Sequence, residues 1–378
     1  MRVAILESII MPAGHEVEFD RILVDELKKE GHNPCFFVPE NFKFKLNYNA
    51  DVEYLNGGSV ITYAGSGKLK KIWLSMLREK RRIEWFDSAY EKACQNLCNV
   101  IIIPTATYRY LRTLGYSKLK NSPVPVVFIF HGINPGEKKN FIKYAKKCKK
   151  YSNIYLKVIT LRNDFKDVNL RNLALIDPPV FKPMDLLIND KLNFNTPLKI
   201  GFFGQYRKEK NLGFFLDAFQ KAKFNKEVKL IIQGATATTE DSNAFEEYIK
   251  KYSGNSNIEF WHKNLIGLEW QNALMSVDVI IMPYAAERYR YHWSAMLFTA
   301  IGFYKPFLQS PEMNPEVLQE FNVGRILTMQ TEEKFIRQLE NFINTIEING
   351  KIYESELKKA NVKYSHENLL KSVLKFNS

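Results

Sequence analysis

The sequence predicts an α/β fold built as two successive doubly wound, Rossmann-like domains facing a cleft. Three observations carry this expectation. Short continuous apolar runs alternate with amphipathic stretches of helical period, the pattern of repeated βαβ units. The alternation stops at a proline-rich segment, residues 177–183, and then restarts. A length of 378 residues also exceeds what one hydrophobic core ordinarily organises.

Taken in order, residues 3–6 form a short buried strand. A loop through Pro12 and Gly14 leads to a helix with Phe19, Ile22, Leu23 and Leu27 on one side. Gly31 closes that helix, and residues 35–38 make the next strand. Residues 100–103, 124–130 and 154–159 are apolar runs of the kind that parallel strands covered on both faces require. Pro178, Pro179 and Pro183 can continue neither a helix nor a central strand, so the domain boundary falls here, giving domains 1–180 and 181–360. The second series opens with a strand at 198–203, a Gly204 loop, and a helix with Leu212, Phe215, Leu216 and Phe219 at i, i+3, i+4, i+7. Strands at 230–232, 258–261, 277–282 and 306–308 follow. Residues from about 354 to 376 read as helical, and 361–378 are set apart as a C-terminal helix able to cross back to the first domain.

Composition narrows the class. With 46% hydrophobic and 13% aromatic residues, a disordered or fibrous chain is excluded. Residues 1–7 lack the long apolar region and cleavage site of a signal peptide, and no stretch reaches the ~20 apolar residues that span a bilayer. The expected location is therefore cytoplasmic. Cys35, Cys94, Cys98 and Cys148 read as reduced thiols; Cys94 and Cys98 are spaced i, i+4 in a helical pattern with no histidine cluster beside them. The formal charge of +13 fits partners that are nucleic acids, anionic membranes or phosphorylated small molecules. It is clustered twice: Lys68, Lys70, Lys71, Arg78, Lys80, Arg81 and Arg82 surround Trp73 and Leu74, and seven lysines lie within 138–150. The first cluster suits an amphipathic helix on an anionic membrane, which would station the protein peripherally on the inner face of the cell membrane. An ordinary solvated helix with a buried Trp73 is the plainer reading. The second cluster reads as a solvated helix face.

Two stretches carry chemistry. In the first, Gly201 to Asn211, a buried strand ends at Gly204, a cationic loop follows, and a helix opens at about Asn211. Backbone N–H groups at a helix start attract anions, and Arg207 and Lys210 add full charges beside them. The second, Met282 to Ser294, follows an apolar strand and so lies at the carboxyl edge where open α/β sheets hold ligands. It packs Tyr284, Glu287, Arg288, Arg290 and His292 into a few residues, with Ser294 either capping the next helix or also meeting a phosphate.

At these residues the chain resembles the GT-B glycosyltransferases of the large retaining group 1 that includes bacterial lipopolysaccharide and mannosyl transferases. The family's donor domain has a strand, G-R-x-x-x-E-K and a helix; here Gly204, Glu209 and Lys210 stand in register. Its D-V-x-x-x-P segment, following Glu and G-x-P turn correspond to Asp278, Val279, Pro283, Glu287 and Lys305-Pro306. Residues 177–183 sit where the family has its interdomain segment. Gly14-His15-Glu16 with Gly31-His32 resembles its opening, and His131-Gly132 its histidine at the cleft. The chain departs from the pattern at Gln205, where the family has arginine, at Ala295, where the second Glu is usual, and at Thr299, which stands where counting back from Pro306 places it.

The resemblance implies transfer of a sugar from a nucleoside-diphosphate sugar to a hydroxyl acceptor (glycan, lipid-linked glycan or protein glycan), with retention. It assigns Gly14, Gly204, Gln205, Arg207, Lys210 and Ser294 to the diphosphate, Tyr284, His292 and Thr299 to the donor's sugar and nucleotide, and His131 and Glu287 to catalysis. No cofactor and no metal is expected, because Arg207 and Lys210 would offset the leaving-group charge. The expected partners are the donor, the acceptor and an anionic membrane surface along residues 68–82, with no nucleic acid, since no nucleic-acid-binding module is visible. A nucleotide-sugar epimerase using Glu16, His131 and Glu287 as acid/base groups, and a non-catalytic nucleotide-sugar-binding subunit, remain open alternatives. Gly65-Ser66-Gly67-Lys68 is no P-loop, and no G-x-G-x-x-G follows a strand.

Overall fold

The computed structural model describes residues 1–9, 16–61, 67–162, 165, 168, 170–184 and 186–376, the Lys68 side chain aside. The chain divides into two compact units, residues 1–178 with 366–378, and residues 179–365.

The first unit is a parallel sheet of seven strands: β1 (Arg2–Leu6), β2 (Asn33–Pro39), β3 (Asp51–Leu55), β4 (Val100–Ile103), β5 (Val126–Phe130), β6 (Ile154–Ile159) and β7 (Leu173–Ile176). Their order is β3-β2-β1-β4-β5-β6-β7, so the winding reverses between β1 and β4. Helices α1 (Glu16–Lys29), α2 (Lys68–Cys94), α3 (Tyr108–Leu114) and α4 (Pro135–Cys148) make the connections. On one face, Trp85 and Phe86 of α2, Leu111 of α3 and Phe141 of α4 pack on Leu6, Ile101, Phe128 and Phe130. The alternate residues Val3, Ile5, Ile102 and Val127 are buried as well, which is why these strands read as unbroken apolar runs.

The second unit is a parallel sheet of six: β8 (Leu198–Phe202), β9 (Val228–Gln233), β10 (Ile258–Trp261), β11 (Val279–Met282), β12 (Phe307–Gln309) and β13 (Gly324–Ile326), ordered β10-β9-β8-β11-β12-β13. Its helices are α5 (Leu212–Lys221), α6 (Thr239–Tyr252), α7 (Gly267–Met275), α8 (Ala295–Gly302), α9 (Glu316–Glu320) and the 32-residue α10 (Glu332–Lys363). Asp278, just before β11, fastens the strand that opens this unit. Its Oδ1 accepts from the Asn195 N–H (3.0 Å) and Nδ2 (2.7 Å), and its Oδ2 from the Lys199 N–H (2.7 Å).

The chain ends in α11 (His366–Val373), which packs beside α1 and β7 of the first unit and buries Leu369, Leu370 and Val373. The expectation of one helix from about 354 to 376 is therefore corrected: α10 stops at Lys363, and Tyr364 turns the chain by burying its ring against Phe298 and Phe321. The strands β3, β7 and β13, absent from the sequence reading, lie at sheet edges and are partly exposed; β3 and β13 carry no continuous apolar run, whereas β7, Leu-Ala-Leu-Ile, does. Cys94 ends α2 and is exposed, while Cys98 lies beyond the helix and is buried, so the two do not share a helix; all four cysteines are free. No described helix is long and apolar enough to cross a membrane.

Candidate functional site

The chain leaves β8 at Phe203 and turns at Gly204, whose φ of +104° is a conformation side chains rarely adopt. A Cβ at this position would stand 3.1 Å from the Lys210 ammonium, so the glycine leaves open the space over that charge. The Gly204 N–H is itself spent on the buried Gln233 side chain (2.8 Å), which donates onward to the Lys263 carbonyl. Gln205 forms a parallel bridge with Ala235, and the Tyr206 N–H donates to the Ala235 carbonyl at 2.7 Å. One 3-10 turn, Lys208–Lys210, follows, and Asn211, in the left-handed region at φ +57°, starts α5 at Leu212.

Lys210 is the centre of this arrangement. Its side chain is buried, with Nζ 4.8 Å from the Tyr284 ring centroid and 5.7 Å from that of Phe202. Among the described residues its hydrogen bond is a single long one, to the Phe203 carbonyl at 3.3 Å. Burial, and then the fields of Arg207 and Arg288, push the ammonium down to about 7.

The two chemistry-bearing stretches of the sequence meet here. The Ala285 N–H donates to the Glu209 carbonyl (2.9 Å), and the Glu209 carboxylate pairs with Arg288 at 2.5 Å and reaches Arg207 at 3.9 Å. Arg207 also donates to the Gln205 Oε1 (3.1 Å), so the residue in the place of the family's arginine orients the neighbouring one. Arg207 and Arg288 thus share one carboxylate, and among the described residues Lys210 makes no ion pair. Such an excess of positive charge around an open glycine turn suits an anion with two phosphates.

The other expected residues fall as follows. Tyr284 is buried under Lys210, its hydroxyl without a partner among the described residues and its backbone carbonyl accepting from Ser310; burial holds the phenol protonated. Glu287 is exposed in a 3-10 turn, Glu287–Arg290, and accepts from the Tyr291 hydroxyl at 3.2 Å. His292 is half-buried, its carbonyl 3.5 Å from the Asn314 amide. Ser294 caps α8, accepting from the Leu297 N–H, while its own N–H is held by Asn314 Oδ1 (2.9 Å). Thr299, expected at the donor, is buried in α8, and its hydroxyl donates to the Ala295 carbonyl at 2.8 Å. Ala295 is the first residue of α8.

In the first unit, His131 follows β5, with its ring edge-on to Phe19 at 4.5 Å and Nε2 donating to the Pro104 carbonyl (2.8 Å), which places a proton on that nitrogen. Gly14 lies outside the described residues. Next to that segment stands a carboxyl group cluster that sequence reasoning only touched through Glu16. Glu7, just past β1, accepts from the Ser8 (2.6 Å) and Ile9 (2.5 Å) N–H groups through one oxygen, and the other is buried without a partner among the described residues. Asp20 on α1 is buried likewise, and Glu7, Glu16 and Asp20 line one pocket with Phe44 and Tyr48. Burial, with Glu16 adding repulsion, pushes Glu7 up to about 8 and raises Asp20 well above the usual carboxylate range. Among the described residues no group of three His, Cys, Asp or Glu side chains is placed to hold a metal ion.

Arg288, Gln233 and Asn314 were not singled out from the sequence. Arg288 is one of several charges in its stretch, and Gln233 and Asn314 act through contacts made across 29 and 20 residues. The one available signal was the pairing of two cationic stretches, each just past a buried strand.

Comparison with known proteins extends these findings. Residues 197–345 match the family model described as glycosyl transferases group 1. No curated protein matches the chain by sequence. Among solved structures, the chain is similar to a glycosyltransferase from Rickettsia africae (TM-score 0.70, 13% identity, 99% of this chain and 98% of that one). It is also similar to HepE from Anabaena in complex with UDP (0.68, 12%, 99% and 98%) and to the lipopolysaccharide outer core galactosyltransferase WaaB (0.64, 12%, 99% and 99%). At these identities the likeness concerns the fold. The match to glycosyl transferases group 1 thus lies within the second unit, and the chain as a whole has the GT-B fold of these glycosyltransferases.

Proposed function

We propose that the protein is a retaining, metal-independent glycosyltransferase that moves a sugar from a nucleoside-diphosphate sugar to a hydroxyl of a glycan or glycoconjugate. The observation that carries the reading is Lys210, a buried ammonium with one long hydrogen bond, flanked by two guanidinium groups and facing a turn kept open by Gly204. A desolvated cation left so poorly paired gains most from an anion, and a bound diphosphate would return it to its charged form.

In this reading the bond from the sugar's anomeric carbon to the β-phosphate oxygen breaks as the bond to the acceptor oxygen forms. The acceptor's proton leaves with the departing diphosphate. Arg207, Lys210 and Arg288 offset the charge growing on the leaving group, the task a divalent ion would otherwise serve. His131 and Glu287 would orient acceptor and donor hydroxyls. The complexes of HepE with UDP and with UDP-glucose make a uridine diphosphate sugar the first donor to test, and the galactosyltransferase WaaB points to a surface-glycan acceptor.

The test is calorimetric titration of the purified protein with UDP, GDP, ADP and their sugar conjugates, followed by product analysis with chelator present. Binding of one nucleoside diphosphate, with release of it from the sugar conjugate, supports the reading. Epimerised donor as the product would make the protein an epimerase. No binding to any of them would overturn the site assignment.

A further inference from the structure

Three carboxyl groups meet at one end of the sheet of the first unit. Glu7 follows β1 at its carboxyl end, beside the point where the strand order reverses, and Glu16 and Asp20 stand one turn apart on the same side of α1. They line one pocket together with Phe42, Phe44 and Tyr48 of the segment between β2 and β3. Tyr48 ties that segment to α1, its hydroxyl donating to the Val17 carbonyl (3.1 Å), and the Lys28 ammonium holds the Tyr48 and Asn49 carbonyls (2.9 and 2.8 Å).

Buried carboxyl groups ordinarily come with a cation or a full set of donors. Here Glu7 Oε2, Glu16 Oε2 and Asp20 Oδ1 are buried without a hydrogen-bond partner among the described residues, and Glu7 and Asp20 are only 3 and 4% exposed. Arg21, the next residue on α1, pairs instead with Glu18 (2.9 Å) and Asp25 (3.0 Å). Lys43 and Lys45 also line the pocket but are exposed, where water screens them. No cation relieves Asp20, which burial, then Glu7 and Glu16, hold protonated; burial and the field of Asp20 likewise keep the Tyr48 phenol neutral. Three unmet acceptors in one pocket call for a ligand that donates.

The surroundings select the donor. A metal ion is disfavoured, since no group of three His, Cys, Asp or Glu side chains among the described residues is placed to hold one. The Phe42, Phe44 and Tyr48 rings are neighbours, with centroids 4.9 Å apart for the first pair and 6.0 Å for the second, and π faces attract organic cations. An ammonium group brings three N–H donors for three unpartnered oxygens.

We propose that this pocket binds a small organic ammonium ion, its N–H groups donating to Glu7, Glu16 and Asp20 beside the rings of Phe44 and Tyr48. The inference concerns the first unit alone and is independent of the donor site. An ammonium pairs with ionised carboxylates, so binding near pH 7 releases the proton that Glu7 holds up to about 8. Affinity therefore rises up to that pH, by about tenfold per unit for each proton released.

The experiment is calorimetric titration of the whole protein with glucosamine and ethanolamine, with N-acetylglucosamine, glucose, potassium chloride and magnesium chloride as controls. Both amines are expected to bind and the controls are not, and heats in buffers of differing ionisation enthalpy should show proton release at pH 7. Glu7→Gln with Asp20→Asn should weaken amine binding more than about tenfold and remove the proton release. Phe44→Leu, at a half-buried position, should weaken it about threefold with the proton release kept, a reading that stands even where the double variant fails to fold. Failure of both amines to bind, equal binding of N-acetylglucosamine, tighter binding of potassium or magnesium, or full amine affinity in the folded double variant would each overturn the proposal.

Discussion

The Lys210 ammonium sits 4.8 Å from the centroid of the Tyr284 ring, and the Tyr284 hydroxyl beyond it has no hydrogen-bond partner among the described residues. The cation therefore rests on a π face in place of a carboxylate, which leaves its charge largely uncompensated.

Lys210→Met should separate binding from stability. Nucleoside-diphosphate affinity is expected to fall by about 1.5–3 kcal/mol, the scale of a hydrogen bond to a charged group, by calorimetric titration. The same variant should unfold no lower than wild type without ligand, because an apolar side chain of similar shape replaces a buried, poorly paired charge. Unchanged affinity would sink the site assignment.

Affinity for a nucleotide sugar should depend on pH through Lys210. With an ammonium at about 7, binding above that pH requires uptake of one proton, so affinity falls by up to about tenfold per unit as pH rises. A nucleotide sugar is the right probe, since its diphosphate has no proton to lose in this range. Titrations in buffers of differing ionisation enthalpy would measure the uptake, and a value of zero at pH 8 refutes the linkage.

Removing Arg288 should move that profile. Arg288→Gln takes away one of the charges that depress Lys210, so the fall in affinity is expected to begin at a higher pH, while affinity at pH 6 drops. A profile that keeps its midpoint would show that Arg288 does not act on the lysine.

Glu7 carries the opposite linkage. The folded protein holds a proton on Glu7 up to about pH 8, whereas the unfolded chain releases it near 4.5, so this group's contribution to stability falls as pH rises between those values. Glu7→Gln keeps the acceptor for the Ser8 and Ile9 N–H groups and should raise Tm above pH 8 relative to wild type. An unchanged pH–Tm curve would count against the buried cluster.

Asp278→Ala leaves two backbone N–H groups and the Asn195 amide without their acceptor. A loss of about 2–3 kcal/mol in unfolding free energy is expected by denaturant titration, with nucleotide affinity of the folded protein kept.

The sheet centres were legible in the sequence because they are buried on both faces. Val3 to Leu6 and Val126 to Phe130 had no alternative reading, whereas the edge strand Asp51–Leu55 alternates without a code of its own. Gly204, Arg207 and Lys210 were singled out in the sequence because cations after a strand end suggest an anion. That Lys210 would be buried, and its ammonium thereby weakened, was not legible, since the cover comes from Tyr284, distant in sequence. That the Thr299 hydroxyl would donate to the Ala295 carbonyl of its own helix was not legible from a position reached by counting. Trp73, expected as a buried anchor in the plainer reading, is exposed because the core begins about three turns later along α2, toward Trp85.

The return of α11 has a consequence for synthesis. Its Leu369, Leu370 and Val373 complete the packing beside α1 and β7, the Lys375 carbonyl takes the Lys157 ammonium at 2.8 Å, and Phe376 lies 5.0 Å from Tyr155. The second unit is written between these parts, so on the ribosome it can close while the first is still missing its last helix. Of the two units, the one begun first is finished last, and until α11 emerges the nascent chain carries an open hydrophobic flank on α1 and β7.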